Sequence, residues 1–272
     1  MTNLPGPALL FCPADRPDRY AKALAAADAV ILDLEDAVGA GSKDAARAAL
    51  AASDLDPARV IVRVNATGTP EHPADLAAVA LTGYRRIMLA KAETRAQLDE
   101  LGGEWQVVAL CETPRGVLNA AEIAAAPNVV ALMWGAEDLI AAMRGRSSRR
   151  PGGRYRDVAL HARSAVLLAA AAHGKPAVDA VYVDIPDLDG LAAESDDAVA
   201  SGFAFKACIH PSQAAVVRAA FRADEAQVAW ARRVLAAAAG AGPRGGGVLK
   251  VDGQMIDAPL IRQAEAILAS LR

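Results

Sequence analysis

Aromatic residues are scarce in this chain: four Phe, three Trp and four Tyr among 272 residues. With 54% hydrophobic residues, the core volume must come from Ala, Val, Leu and Ile. Cysteine is nearly absent. Cys12, Cys111 and Cys208 are odd in number, widely spaced and set in or beside short apolar runs. That pattern excludes a disulfide framework and reads as buried free thiols in a reducing cytoplasm. No charge of one sign dominates. The balance of 29 basic and 32 acidic residues, net -3, gives no electrostatic basis for holding a nucleic-acid backbone. No uninterrupted apolar run nears the ~20 residues of a membrane span. The opening MTNLPGPALLFCPADRPDR has neither a basic start nor a long apolar stretch. No signal peptide is expected, and the expected location is the cytoplasm. The charged fraction of 22% is near the usual value and argues against a disordered chain.

What is present is a series of short runs rich in Val and Ile: ALLFC (8–12), AVILDL (29–34), RVIVRV (59–64), RIMLA (86–90), QVVALC (106–111), NVVALMW (128–134), DAVYVDI (179–185) and AFKACI (204–209). Few alternate strictly between apolar and polar, as expected of strands buried on both faces of a parallel sheet. Alanine-rich amphipathic segments separate most of them, at 18–27, 43–52, 73–81, 94–101 and 115–125. Eight strands alternating with helices predict an α/β fold, a (β/α)8 TIM barrel. An open doubly wound sheet is the alternative, and the lack of a Gly-rich dinucleotide fingerprint weighs against it. Between the sixth and seventh runs, RGRSSRRPGGRYRD (144–157) reads as a basic surface loop before a helix at 158–172. It is either a phosphate-binding loop or a solvated one. Further helices are expected at 212–221 and 225–239. GAGPRGGG (240–247) reads as a flexible linker, and an amphipathic helix closes the chain. The expected division is a barrel domain, 1–222, and a short C-terminal helical extension, 223–272.

Barrel enzymes build their sites at the C-terminal ends of the strands. Reading the residue after each run collects Glu35 and Asp36, Arg63 and Asn65, Lys91 and Glu93, Glu112, Glu137 and Asp138, Asp184 and Asp187, and His210 and Gln213. Carboxylates without paired His or Cys ligands suit a hard cation such as Mg²⁺, which takes oxygen ligands and keeps several waters. Glu112 and Asp138 are the best pair, since each leaves a neighbouring strand. The competing reading makes them structural acids, Glu112 paired with Arg115 for example. Arg63 offers a planar donor fork for a carboxylate or enolate oxygen, or else a rim salt bridge to Glu35. The four histidines support no Ser-His-Asp triad. His210, in HPS, reads as a turn and helix cap.

Taken in order, LFCPADRPDRYAKALAAADAVILDLEDAV, RVNATGT, LAKAE, CETPRGV, MWGAEDL and KACIHPSQ resemble the citrate lyase β-subunit-like enzymes of the HpcH/HpaI aldolase group. The resemblance runs from residue 8 to about residue 260. It implies a TIM barrel, a Mg²⁺ ion and a homotrimer, sometimes paired into hexamers. It places the metal on Glu112 and Asp138, substrate on Arg63 and Glu112, and the LEDAV acid on Glu35. Arg16 and Lys22 would approach the phosphates of coenzyme A. Asp257, in Gly253-Gln254-Met255-Ile256-Asp257, would act over a neighbouring subunit's site as general base. Asp257 also reads as an ordinary helix N-cap. Many relatives carry Val-Pro-Gly after the first strand, whereas this chain has Cys12-Pro13-Ala14.

The activity implied is a lyase that cleaves a short 3-hydroxyacyl-CoA (malyl-, citramalyl-, citryl- or hydroxymethylglutaryl-CoA) to acetyl-CoA and an oxo acid, or forms it by condensation. The alternatives are a coenzyme A-independent oxo-acid aldolase, the β subunit of a citrate lyase complex, and a metabolite-binding protein without turnover.

Overall fold

The computed structural model describes residues 4–240 and 248–271. These form two compact units that divide between Arg218 and Ala219. The linker expected at 240–247 lies, apart from Gly240, outside the described residues.

In the first unit, strands β1 (Ala8–Pro13), β2 (Ala29–Asp33), β3 (Val60–Val64), β4 (Arg86–Leu89), β5 (Gln106–Cys111), β6 (Val129–Trp134), β7 (Ala177–Asp179) and β8 (Phe205–Cys208) pair in sequence order. All pairs are parallel, and β8 closes on β1. The (β/α)8 TIM barrel is therefore present. Its helices are α1 (Pro17–Ala26), α2 (Lys43–Ala51), α3 (Glu71–Ala80), α4 (Arg95–Glu100), α5 (Pro114–Leu118), α6 (Ala120–Ala124), α7 (Ala136–Ala142), α8 (Asp157–Ala172), α9 (Leu188–Ser201) and α10 (Pro211–Phe221). The single helix expected over 115–125 is broken at Asn119, whose side chain donates to the Glu93 carbonyl at 2.8 Å. Helices α7 and α9 were not among the expected helices; α7 buries Ala136, Leu139 and Ile140, and α9 buries Leu191, Ser195 and Ala198.

The seventh run departs furthest from expectation. A strand over 179–185 was expected, but β7 ends at Asp179. The carbonyls beyond it are taken by side chains: Ala180 O accepts from Lys206 Nζ at 2.9 Å and Tyr182 O from Gln213 Nε2 at 2.8 Å. Pro186 has no N–H to donate to a ladder. Asp184 and Asp187 are therefore not strand-end residues. Asp184 is exposed, and Asp187 caps α9 by accepting from the Gly190 N–H at 2.9 Å.

Side chains in a strand alternate between faces. Leu9, Ile31, Ile61, Met88, Val108, Leu110, Ala131, Met133, Val178, Phe205 and Ala207 belong to one buried cluster. Continuing that period of two toward the C-terminal ends brings Asp33 above Ile31, Arg63 above Ile61 and Glu112 above Leu110. The opposite parity carries a second polar set. Asp179 and Lys206 are fully buried. Lys206 Nζ lies 2.9 Å from Asp179 Oδ2 and 3.0 Å from Glu194 Oε1 on α9. Arg163 on α8 reaches Asp179 Oδ1 at 2.9 Å, and Trp134 Nε1 donates to the same oxygen at 2.7 Å. Burial would push the Asp179 carboxyl up, but Lys206 and Arg163 hold it below the usual carboxylate range. All three cysteines are buried free thiols, with burial pushing Cys111 and Cys208 up to about 12. No helix among the described residues is long and apolar enough to cross a membrane.

The second unit holds α11 (Glu225–Gly240), a hairpin of β9 (Leu249–Val251) and β10 (Gln254–Ile256), and α12 (Ala258–Ala269). The extension is thus not purely helical. Asp252 and Gly253 turn the hairpin with φ of 51° and 82°, the Asp-Gly signature of a two-residue hairpin. Ala231, Val234, Ile256 and Ala264 form its core.

The buried Asp179–Lys206 pair makes a stability prediction. Lys206→Met leaves Asp179 and Glu194 short of a cation in a dry layer. It should cost roughly 3–5 kcal/mol, read as a lower denaturant midpoint with the slope unchanged. A midpoint within error of the parent contradicts it.

Candidate active site

The mouth of the barrel is organised around Asp33, the last residue of β2. Asp33 Oδ1 and Oδ2 accept from Arg63 Nε and Nη2 at 2.7 and 2.6 Å, a bidentate pair between neighbouring strands. The same oxygens accept from the Glu35 and Ala37 N–H groups at 2.9 and 3.1 Å. One carboxylate thus fixes the Arg63 guanidinium and the turn that carries Glu35. The Arg63 guanidinium also stacks 4.9 Å from the Phe11 ring centroid. Sequence reasoning expected Glu35 as the partner of Arg63. Glu35 Oε2 does lie 2.9 Å from Arg63 Nη1, but without hydrogen-bond alignment, so this buried oxygen has no hydrogen-bond partner. Lys43 fastens the same turn from below, donating to the Leu34 and Glu35 carbonyls at 2.6 and 2.7 Å.

Glu112 stands directly after β5. Thr113 caps α5 by accepting from the Gly116 N–H at 3.0 Å, and Pro114 opens the helix. A Cβ at Gly116 would sit 2.3 Å from the Ala92 carbonyl oxygen. Glycine there lets α5 close against the turn after β4. That turn presents the Lys91 N–H to Glu112 Oε1 at 3.1 Å. At the end of the neighbouring strand, Gly135 follows β6 and leads into α7. A Cβ on Gly135 would lie 2.8 Å from Glu112 Cβ and 2.9 Å from its Oε2. This glycine leaves the room that lets Glu112 and the Asp138 turn share one site. Lys91 Nζ bonds Glu35 and lies 3.6 Å from Asp138 Oδ1 and from Asp36 Oδ2.

Burial raises the Glu112 carboxyl, and the charges of Asp138 and Glu35 add to it. Arg63 and Lys91 oppose the shift, and the result is about 8. Glu35 is raised too, chiefly by burial, against the pull of Arg63 and Lys91. Burial disfavours the Arg63 charge, but its bonds to Asp33 and the surrounding carboxylates outweigh that and keep it protonated.

A cavity of about 190 Å³ opens over this cluster, lined in part by Phe11, Arg63, Leu110, Glu112, Met133 and Asp138. Among the described residues no three His, Cys, Asp or Glu converge into a closed metal cage. Two carboxylates suffice for Mg²⁺, which fills its other positions with water and substrate oxygens. Glu112 is buried, its carboxyl resists ionisation, and among the described residues that carboxyl accepts a hydrogen bond only from the Lys91 N–H. Asp138 is 36% exposed and makes no hydrogen bond among the described residues. An oxygen-only donor pair in this state fits a hard divalent cation. The Glu112–Arg115 pair of the competing structural reading does not form, since Arg115 is exposed and no ion pair joins the two.

The remaining expected residues lie elsewhere. Arg16, the residue before α1, pairs with Asp18 at 2.9 Å, and Lys22 is exposed on α1. Ala14 is buried with its N–H committed to the Asp33 carbonyl at 2.9 Å. Asp257 belongs to the second unit, where it caps α12 by accepting from the Leu260 N–H at 3.4 Å. His210 is exposed, and its Nδ1 meets Ser212 Oγ at 2.8 Å in the turn before α10, as HPS suggests. The basic loop is neither open nor loose at Arg149. That guanidinium lies 3.8 Å over the Tyr155 ring and pairs with Glu194 at 2.7 Å. A cavity of about 580 Å³ beside this loop contains none of the mouth carboxylates. Asp33 is the candidate site residue that reading strand ends missed, because it lies inside the second run. An acid breaking an apolar strand is the signal that points to it.

The family model described as HpcH/HpaI aldolase/citrate lyase matches residues 8–211. The citrate lyase subunit beta-like protein of Mycobacterium tuberculosis (strain ATCC 25618 / H37Rv) is 55% identical over 97% of this chain and 94% of its own length. A (3S)-malyl-CoA thioesterase of Cereibacter sphaeroides (strain ATCC 17029 / ATH 2.4.9) is 36% identical over 96% of this chain and 93% of its own. The crystal structure of CitE from M. tuberculosis in complex with magnesium, acetoacetate and coenzyme A superposes with a TM-score of 0.93. It has 54% identity and covers 99% of both chains.

The raised Glu112 carboxyl fixes the sign of a pH effect. Between the unfolded carboxylate value of roughly 4.3 and about 8, the folded metal-free protein keeps a proton that the unfolded chain releases. Stability contributed by that proton is lost as pH rises through this window. With chelator present, the parent protein should lose roughly 2–3 kcal/mol relative to Glu112→Gln between about pH 6 and pH 9. Parallel stability curves for the two proteins contradict this.

Proposed function

The chain belongs to the HpcH/HpaI aldolase/citrate lyase family, and from that premise we propose a Mg²⁺-dependent carbon–carbon lyase acting on a short 3-hydroxyacyl-CoA. The observation that carries this reading is the meeting of Glu112, Asp138 and a pre-oriented Arg63 over one small cavity. In the cleavage direction, a base removes the hydroxyl proton. The electron pair of the breaking carbon–carbon bond passes to the thioester's α-carbon, leaving the oxo acid and an acetyl-CoA enolate, which is then protonated.

Glu112 and Asp138 hold the ion, which when bound supplies Lewis-acid polarisation of the oxo-acid oxygens. Arg63 keeps its Nε and Nη2 bonds to Asp33 and turns its remaining N–H groups to a substrate carboxylate or enolate oxygen. Because Asp33 and Phe11 already hold the guanidinium, little reorganisation accompanies charge development. Glu35, braced by Arg63 and Lys91, completes the anionic rim. The cavity has room for a small oxo acid, so the coenzyme A nucleotide lies outside it, with Arg16, just before α1, and Lys22, on α1, as its phosphate partners. Asp257 serves as the base from a neighbouring subunit of a homotrimer, and the enzyme works in the cytoplasm. The magnesium, acetoacetate and coenzyme A bound by the M. tuberculosis protein support the metal, the thioester carrier and the size of the oxo acid.

A second reading, hydrolysis of the thioester, is favoured by the similarity to the (3S)-malyl-CoA thioesterase. Incubating a panel of 3-hydroxyacyl-CoA thioesters with Mg²⁺ or with chelator separates the two. Release of acetyl-CoA and an oxo acid, abolished by chelator, is expected of the lyase. Free coenzyme A with the intact hydroxy acid, and no oxo acid, indicates hydrolysis instead.

Two substitutions test the assigned roles. Arg63→Lys cannot keep a bidentate bond to Asp33 while serving substrate, and should lower kcat/KM by ~10²-fold. Unchanged kcat/KM returns Arg63 to a structural role. Asp257→Asn and Arg63→Ala proteins should each be nearly inactive, and mixed oligomers should regain part of the activity. Near-normal turnover by Asp257→Asn alone makes that residue a helix cap and nothing more.

A further inference from the structure

Lys91 touches more of the mouth's carboxylates than any other side chain described above, yet the reaction just outlined gives it only the bracing of Glu35. It follows β4 by two residues with φ of 50°, a left-handed backbone that an L-residue other than Gly, Asn or Asp rarely adopts. Such strain persists only where the surroundings enforce it. Here it achieves two placements at once. The N–H meets Glu112 Oε1 at 3.1 Å, and the side chain crosses the mouth to Glu35, Asp36 and Asp138. One residue thus contacts both proposed metal ligands, one through its backbone and one through its charge.

We propose that Lys91 is a resident counter-cation that competes with the divalent ion for Asp138 and so sets the metal affinity of the site. The inference rests on the metal reading of Glu112 and Asp138. Arg63, the other cation at the mouth, is committed to Asp33 and Glu35, so Lys91 is the only cation within 4 Å of Asp138 among the described residues. Without a bound ion its ammonium offsets the mutual repulsion of Glu35, Asp36 and Asp138. An ion ligated by Asp138 brings two positive charges close to an ammonium that stood 3.6 Å from the same oxygen. Repulsion between like charges grows as their separation shrinks, so entry of the ion drives Nζ off Asp138. The ammonium has somewhere to go: it already bonds Glu35, lies 3.6 Å from Asp36, and its side chain is 32% exposed. The backbone bond to Glu112 does not depend on where the ammonium sits, so that ligand stays aimed throughout. The competition weakens binding of the bare ion and leaves a substrate carboxylate to complete its shell.

The test is direct binding of Mn²⁺ to the full-length protein without substrate, by titration calorimetry or by the loss of the free-ion paramagnetic resonance signal. Lys91→Met keeps the N–H and the reach of the side chain but removes the charge. It should bind Mn²⁺ at least ~10-fold more tightly than the parent, and Lys91→Arg should stay near the parent value. Should the Met variant fail to fold, Lys91→Gly preserves the left-handed backbone at no steric cost and should show the same gain. Equal or weaker binding by the neutral variants overturns the inference while leaving the metal reading intact. Absence of Mn²⁺ binding by parent and variants alike overturns both.

Discussion

The Asp33–Arg63 pair is the constraint on which the barrel mouth depends. Asp33 ends β2 and Arg63 stands one residue before the end of the neighbouring β3, both facing inward, and neither charge is tolerable there alone. Paired in bidentate fashion, they hold the guanidinium in one orientation, and the two remaining lone pairs of Asp33 hold the turn that carries Glu35. Glu35 in turn receives Lys91, and Lys91 reaches Asp138. The site is thus a chain of opposite charges that starts in the regular strand ladder, and its geometry inherits the rigidity of the barrel.

The barrel carries polar groups on both faces of its wall, for different ends. On the inner face, above Ile31, Ile61 and Leu110, the charges are left with unused hydrogen-bonding capacity at Arg63, Glu112 and Asp138. On the outer face, Asp179, Lys206, Arg163, Glu194 and the Trp134 indole satisfy one another beneath α8 and α9. A satisfied buried network stabilises one arrangement, whereas an incompletely satisfied one at a cavity is available to a ligand. The scarcity of aromatic residues fits this design. Alanine-rich helices pack closely against the strands, and two of the few large rings sit at polar junctions, Phe11 against Arg63 and Tyr155 against Arg149.

Much of this was legible in the sequence, because strand length and side-chain alternation are local properties. The barrel, its strand limits except at β7, and the gathering of Arg63, Glu35, Glu112 and Asp138 at the strand ends all follow from short apolar runs and the residues after them. Asp33, Asp179 and Lys206 were harder to see. Asp33 and Lys206 lie inside apolar runs and Asp179 opens one, and their side-chain partners are 12 to 45 residues away in sequence. The β7 limit failed for a similar reason, since distant Lys206 and Gln213 capture the carbonyls that a longer strand would use. The Asp252–Gly253 hairpin was not expected, although its Asp-Gly dipeptide is the local signal for such a turn. Arg16, Lys22 and Asp257 show the opposite limit. Their proposed roles concern a bound cofactor and a neighbouring subunit, and their local environments on α1 and α12 are those of ordinary surface and capping residues.

In physical terms, the proposed site is a hard-cation site beside a fixed guanidinium at the end of a parallel barrel. The most direct measurement is a crystal structure of this chain grown with Mn²⁺ and a small oxo acid, with anomalous scattering collected at the manganese edge. A single strong peak within ligand distance of Glu112 and Asp138 is expected, with the oxo acid spanning from the metal to Arg63 and the Asp33–Arg63 pair unbroken. A peak elsewhere, or an oxo acid bound without metal and away from Arg63, contradicts the proposed site.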